Sequence, residues 1–163
     1  MKRFAYLLAL PLGLGLLLGM VAFRTATSTV APSFVSKAWT VQSVKLDTPV
    51  DFNGDGQPDS ELLSFMSACE KDDALIFEAN SNLITDKGSL RCRPDEPHKE
   101  LTAHWIYDPE TQVISLVDLK NDSEMEQWQV LESTAGTLKI RFDILPSDGQ
   151  TSLKATMTLQ AVR

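Results

Sequence analysis

The chain has 163 residues, of which 43% are hydrophobic and 23% are charged, and its formal net charge is −7. This length and composition are typical of one globular domain and exclude wholesale disorder. The negative charge disfavours partners such as nucleic acid, whose phosphates it would repel, and docking on anionic lipid.

The first 26 residues have the layout of a secretory signal peptide. Lys2 and Arg3 form a positive start, an apolar run follows from Phe4 to Phe23, and small polar residues come after Arg24. The run is also long enough to cross a bilayer, so an uncleaved N-terminal anchor is the alternative. Cleavage would remove three of the 15 basic residues and leave 12 against 22 acidic ones. We therefore expect an exported protein, either periplasmic or extracellular, or anchored to the membrane by this segment.

Residues 27–37 are mostly small and polar, and we interpret them as a linker, so that the folded domain spans residues 38–163. The domain is expected to begin with a strand from Trp39 to Leu46, along which the apolar residues change parity. A β-bulge at Gln42-Ser43 would return the apolar side chains to one buried face.

The next segment matches the first nine positions of an EF-hand calcium loop. A glycine stands at position six, and oxygen-bearing side chains stand at four ligand positions: Asp51, Asn53, Asp55 and Asp59. Position twelve should be a bidentate glutamate but is Leu62. A weak calcium site and a simple polar turn are therefore both open. Ser60–Met66 is then expected to form a short helix.

Seven more strands are predicted, each with apolar residues at every second position. They are Ala74–Ala79, Leu83–Asp86, Leu101–Tyr107, Val113–Leu119, Glu124–Leu131, Thr137–Ile144 and Leu153–Ala161. Such alternation indicates antiparallel strands with one buried face. Eight strands joined by short turns predict an all-β fold, an eight-stranded antiparallel up-and-down barrel with one short helix after the first strand. A two-sheet sandwich is the second choice, and an outer-membrane barrel, which needs longer strands, is the third.

The two cysteines, Cys69 and Cys92, both lie in the part expected to be exported. In an oxidising compartment, two cysteines of a small domain are expected to form a disulfide. The bond would close a loop of about 24 residues, worth roughly 3 kcal/mol in the chain-entropy model.

Five aromatic residues stand on the apolar parity of their strands and are expected to line the barrel interior: Trp39, Phe77, Trp105, Trp128 and Phe142. An eight-stranded barrel can be filled by its own side chains or can hold one small ligand. The pattern does not separate a packed core from a ligand cavity, and both interpretations are retained.

No constellation of residues indicates catalysis. The chain has two histidines and no G-x-S-x-G motif, and 22 acidic residues produce carboxylate pairs by chance. We therefore predict a protein that is not an enzyme and has no cofactor apart from the weak calcium site considered above.

Several motifs resemble those of the lipocalin-like domain family of exported bacterial proteins. The matching pieces are Lys37-Ala38-Trp39, the loop Asp51–Gly56, the segment Ser67–Phe77, the turn Asp86-Lys87-Gly88, and Cys92. The resemblance implies an eight-stranded barrel and a ligand cavity without naming the ligand. Our hypothesis is an exported lipocalin-like barrel that binds a small hydrophobic ligand or has a structural role at the cell envelope. The alternative is a protein-interaction module that uses its acidic outer face and the Asp51–Asp59 loop.

Overall fold

The computed structural model describes residues 31–119, 125–145 and 152–162. The strands of this part are β1 (Ala38–Val50), β2 (Asp59–Glu61), β3 (Ala74–Phe77), β4 (Asn82–Asp86), β5 (Lys99–Asp108), β6 (Val113–Asp118), β7 (Met125–Ser133), β8 (Thr137–Ile144) and β9 (Leu153–Ala161). The predicted signal peptide or anchor lies outside the described residues. Within them, no helix has the length and apolar character needed to cross a membrane.

The barrel closes through β1, which pairs with both β3 and β9. From β3 to β9 each strand pairs with the next one along the chain, and all pairs are antiparallel. Eight strands therefore form a closed ring, and the short β2 is added beside the second half of β1. The register between β1 and β9 shifts between Val41 and Ser43. Both the eight-stranded up-and-down barrel and its predicted bulge are confirmed.

Alternation along the strands decides which side chains fill the barrel. In β5, Ala103 and Trp105 are buried, whereas His104 between them is exposed. In β8, Leu138 and Ile140 are fully buried. Because successive side chains of a strand point to opposite faces, this pattern places one apolar row of each strand inside the ring.

The predicted helix at Ser60–Met66 is much shorter in the structure. Asp59–Glu61 forms β2 and pairs with β1, and the Glu61 carboxylate accepts hydrogen bonds from the N–H groups of Val44 (2.8 Å) and Leu63 (3.2 Å). Because this pairing keeps the chain extended as far as Glu61, a single 3-10 turn remains at Leu62–Phe65. One further turn, α1 (Ala68–Lys71), precedes β3.

The end of the predicted linker reaches into the barrel core. Phe34 is 1% exposed, and its ring contacts those of Phe77, Trp105 and Tyr107 at centroid distances of 5.1, 5.7 and 5.4 Å. The compact unit accordingly begins at Ala31. Phe34 fills the end of the barrel at which β1 starts.

Candidate ligand-binding cleft

The two ends of the barrel differ in the connections they carry. At one end the strands are joined by the short turns 78–81, 109–112 and 134–136. At the other end lie the longer connections 51–73 and 87–98, together with those that follow β6 and β8 and fall partly outside the described residues. We call the first the closed end and the second the open end.

Buried aromatic side chains and main-chain hydrogen bonds seal the closed end. Trp39 is fully buried, and its Nε1–H donates to the carbonyl oxygen of Phe34 at 2.8 Å. The N–H of Ser36 donates to the carbonyl oxygen of Phe77 at 2.8 Å, which ties the segment to β3. The Nζ of Lys37 lies 5.6 Å from the centre of the Trp39 ring. This end of the barrel is therefore filled by the chain itself.

The open end contains a cleft of about 930 Å³. This volume lies within the range of about 300–1,000 Å³ that is usual for small-molecule sites. The apolar side chains that line it are Leu75, Leu83, Ala103, Leu116, Met125, Trp128 and Leu145. The polar ones are Thr102, Asp118, Glu126, Gln127, Asp143 and Ser152. An apolar wall with a few polar groups can bury the body of one small molecule and orient it.

Four of the five aromatic residues predicted to line a cavity form a continuous series of ring contacts. Phe77 lies 5.8 Å from Trp105 and 6.4 Å from Trp128, and Trp128 lies 6.2 Å from Phe142, between ring centroids. The fifth, Trp39, lies at the closed end. Of the five, Trp128 is the one that lines the cleft. The other four therefore belong to the packed interior, and the predicted ligand role of the five stays a prediction.

The three tryptophans differ in the hydrogen bonding of their indole N–H groups. Trp39 Nε1 donates to the carbonyl oxygen of Phe34, and Trp105 Nε1 donates to the carbonyl oxygen of Asn82 at 3.1 Å. Trp128 is 7% exposed, and its buried Nε1 has no hydrogen-bond partner in the structure described. Leaving a buried donor unpaired costs about 1–3 kcal/mol. The cleft is thus lined by a side chain with an unsatisfied donor.

Carboxylates occupy inward-facing positions at the mouth of the cleft. Asp118 is two residues beyond the buried Leu116 in β6, and Glu126 is two residues before Trp128 in β7. Because side chains two apart on a strand share a face, both carboxylates follow the row that lines the interior.

The third acidic residue of the cleft, Asp143, is neutralised by a neighbour. Its Oδ1 accepts hydrogen bonds from Lys154 Nζ at 2.9 Å and from Ser152 Oγ at 3.1 Å. The bond from Lys154 is the main reason why the pKa of the Asp143 carboxyl lies below its ordinary value. The ion pair with Lys154 therefore offsets part of the negative charge of Asp143.

The predicted disulfide between Cys69 and Cys92 is present and braces the open end. The two Cα atoms are 5.3 Å apart, and the bond joins α1 to the connection between β4 and β5. Beside it, Asp72 Oδ2 accepts hydrogen bonds from the N–H groups of Leu90 (2.8 Å) and Ser89 (2.5 Å). These bonds lower the pKa of the Asp72 carboxyl. Two long connections are thereby held together.

The predicted calcium loop directs its side chains onto its own main chain. The Asp51 carboxylate accepts hydrogen bonds from the N–H groups of Gly54 (2.7 Å), Asp55 (3.0 Å) and Gly56 (2.8 Å). Asn53 Nδ2 donates to Asp55 Oδ2 at 3.1 Å, and Asp59 Oδ2 accepts from the N–H of Phe52 at 3.1 Å. Across the described residues, no three His, Cys, Asp or Glu side chains are grouped to hold a metal ion. Calcium binding here stays a prediction.

Two features of this region were not predicted from the sequence. Phe34 lies in the predicted linker, yet it is buried in the core. The only sequence signal for this is the apolar pair Phe34-Val35 within a small, polar segment. The apolar wall of the cleft was also missed. Leu83 and Leu116 follow the expected inward parity. The same alternation of apolar and polar residues is found whether an inward side chain packs against others or lines a cleft.

No protein-family model matches the chain, and no curated protein matches it in sequence. The resemblance to lipocalin-like domains stays a prediction, and the fold assignment rests on the strand pairing described above.

Proposed function

We propose that the protein is an exported, lipocalin-like barrel that binds one small hydrophobic molecule in the cleft at its open end. The observation that supports this proposal is the contrast between the ends of one closed barrel. Phe34 and Trp39 fill the closed end, whereas side chains from six consecutive strands, β3 to β8, line a cleft of about 930 Å³ at the other. Filling both ends would have served a purely structural role better, because packed interiors are more stable than those with voids.

Binding of a neutral fluorescent probe tests the proposal. N-phenyl-1-naphthylamine, whose emission rises in apolar surroundings, is titrated into the protein, and we expect a saturable increase with one site per chain. Ala103→Phe places a ring in the cleft and should weaken probe binding at least tenfold. His104→Phe adds the same ring at the neighbouring exposed position and should leave affinity unchanged, because His104 faces away from the interior.

Circular dichroism and thermal melting identify any variant that fails to fold. The proposal is wrong if wild-type protein shows no saturable binding, or if a folded Ala103→Phe variant binds the probe as well as His104→Phe does. Native mass spectrometry of protein taken from its own cells adds a direct measurement, in which a bound molecule appears as a mass increment.

Export is tested separately by the mass of the protein recovered outside the cytoplasm. A mass that lacks the first 26 residues supports cleavage of a signal peptide, whereas a full-length mass in the membrane fraction supports the anchor. Recovery of the protein in the cytoplasm alone contradicts export.

One observation favours the alternative of a protein-interaction module. Phe52 in the Asp51–Asp59 loop is 49% exposed and Phe65 is 42% exposed, and their rings lie 5.5 Å apart. An exposed aromatic pair is a common component of protein interfaces. If a protein partner is captured from an envelope extract, the module interpretation predicts that Phe52→Ala with Phe65→Ala abolishes capture. Ala103→Phe should leave such capture intact.

A further inference from the structure

We propose that the outward face of β5 and β6 is the contact surface of a weak two-fold symmetric dimer, in which it packs against the same face of a second copy of this chain. This surface lies on the outside of the barrel, whereas the ligand proposed above binds inside it. The two proposals therefore stand or fall separately.

The pairing register arranges the outward side chains of β5 and β6 in three rows of two. The rows are His104 with Val117, Ile106 with Ser115, and Asp108 with Val113. Successive side chains of a strand point to opposite faces, and the buried residues that alternate with these six point into the barrel. We call the six positions the outer face of β5–β6.

This face carries little charge for a chain with 22 acidic and 15 basic residues. Of its six positions, Asp108 alone is an Asp, Glu, Lys or Arg. By contrast, the outward residues Lys139, Arg141 and Asp143 of β8 are all charged and form ion pairs. Two copies of a chain with a net charge of −7 repel each other. They approach most easily through a face that has few charges.

An exposed aliphatic side chain stands at the centre of the outer face of β5–β6. Ile106 is 68% exposed and is the most exposed large hydrophobic side chain within the described strands. Val113 and Val117 lie diagonally across from it on β6, within reach of a long side chain. Continuous apolar surface of this kind is typical of contacts between proteins.

A two-fold axis matches the face to itself. The axis lies between the two copies, runs perpendicular to the strands and passes over the middle row. It places Ile106 against Ile106 of the second copy and Val117 against Val113. It also places His104 against Asp108, and in a symmetric contact this pair occurs twice. Apolar groups therefore meet apolar groups, and the carboxylate meets an imidazole, which is why we assign a second copy as the partner.

The Asp108 carboxylate is held in place for such a contact. Its Oδ1 accepts a hydrogen bond from the N–H of Glu110 at 2.9 Å, and its Oδ2 accepts one from Thr111 Oγ1 at 2.7 Å. An ionised carboxylate has about four acceptor sites, so about two stay available for the N–H of a facing imidazole.

The size of the face sets the strength of the dimer. With the flanking outward side chains of β4 and β7, it covers about 15 Å across the strands and about 20 Å along them. Two copies would then bury under about 1,200 Å² in total, which is the range of weak, transient interfaces. We therefore expect a Kd of about 100 μM.

Sedimentation velocity from about 10 μM to about 1 mM brackets this Kd and tests the dimer. We expect the wild-type protein to pass from monomer to dimer across this range. Ile106→Glu should weaken association at least tenfold, because two carboxylates then face each other across the axis. Val162→Glu is the control, since it adds the same charge at a position that is 55% exposed after β9, and it should weaken association much less. Thermal melting identifies any variant that fails to fold.

Mixing two variants tests the symmetry. Ile106→Glu and Ile106→Lys should each be monomeric alone, because like charges meet at the axis. An equimolar mixture should dimerise, because the Glu of one chain then faces the Lys of the other.

Four results would overturn the proposal. The first is a wild-type protein that stays monomeric up to about 1 mM. The second is association that Ile106→Glu weakens no more than Val162→Glu does. The third is a mixture that associates no better than its components. The fourth is a monomeric protein that binds phosphatidylcholine vesicles through Ile106, which would assign this face to a membrane surface instead.

Discussion

The closed and open ends of this barrel are formed by the same strands. They differ in the connections that join the strands and in the side chains that occupy the interior. At the closed end, short turns join the strands, and Phe34 from the preceding segment enters the interior. At the open end, the connections are long, the inward rows finish in Asp118 and Glu126, and a cleft remains. The comparison indicates that the closed end is packed by the chain itself, whereas the open end leaves the space in which we propose that a ligand binds.

The largest expected effect comes from removing the side chain that fills the closed end. Phe34→Ala should lower the free energy of unfolding by about 3–5 kcal/mol, the usual cost of a fully buried phenylalanine. Phe52→Ala makes the same chemical change at the open end, where the ring is 49% exposed, and should cost under about 1 kcal/mol. Urea unfolding of both variants measures the difference. Equal costs for the two variants would contradict the assignment of Phe34 to the core.

The second effect concerns the brace at the open end. Replacing Cys69 and Cys92 by serine opens a loop whose ends are 23 residues apart in sequence and should cost about 3 kcal/mol by the chain-entropy model. Hydrogen exchange should accelerate most at Ser89 and Leu90, whose N–H groups bond Asp72 beside the disulfide. Exchange at the Ser36 N–H, at the closed end, should change little. Uniform acceleration at both ends would show that the disulfide does not act locally.

Much of the closed ring could be predicted from sequence because alternation is a local property. The row through Leu138 and Ile140 and the bulge after Val41 follow from the order of apolar and polar residues alone. The disulfide followed from composition and expected compartment. The predictions that were wrong concern segments whose conformation depends on residues distant in the sequence. Glu61 is extended because it pairs with Lys45 of β1 and its carboxylate accepts a hydrogen bond from the Val44 N–H. The sequence of Ser60–Met66 alone does not reveal these partners.

The candidate site was less predictable than the fold for a related reason. Trp39 and Trp128 follow the same inward parity, yet one is paired at the closed end and the other is unpaired beside the cleft. Trp39 is paired because the Phe34 carbonyl lies within hydrogen-bond distance of its indole N–H. Alternation along a strand carries no information about such a neighbour. The alternation along the strands identifies which aromatic residues face inward. Only the three-dimensional packing shows which of them lie in the filled end and which one lines the cleft.

The third effect is a pH-dependent one at Glu61, which joins β2 to β1. Burial raises the pKa of this carboxyl, but hydrogen bonds from Ser43, Val44 and Leu63 outweigh burial, and the pKa lies below its ordinary value of 4.5. A lowered pKa in the folded state stabilises the protein above the unfolded pKa, and the contribution is lost as pH falls through the folded pKa. Glu61→Gln should therefore cost about 1–2 kcal/mol at pH 7.

Urea unfolding of wild type and Glu61→Gln at a series of pH values measures this contribution. The gap between the two proteins should be full above pH 4.5 and should narrow steadily at lower pH. Glu132→Gln, at an exposed glutamate that pairs with Lys139, is the control and should change stability by under about 1 kcal/mol. A gap that stays constant with pH would show that the Glu61 charge does not contribute.

The last effect, of similar size, compares one substitution at the two ends. Trp39→Phe and Trp128→Phe both remove an indole and leave similar cavities, but the first also leaves the Phe34 carbonyl without its donor. The second removes a donor that has no partner, so its loss relieves a cost and partly offsets the cavity. We therefore expect Trp39→Phe to destabilise the ligand-free protein by about 1–2 kcal/mol more than Trp128→Phe. Urea unfolding without ligand gives this difference. If Trp128→Phe is as costly as Trp39→Phe, the Trp128 donor is already paired in the free protein.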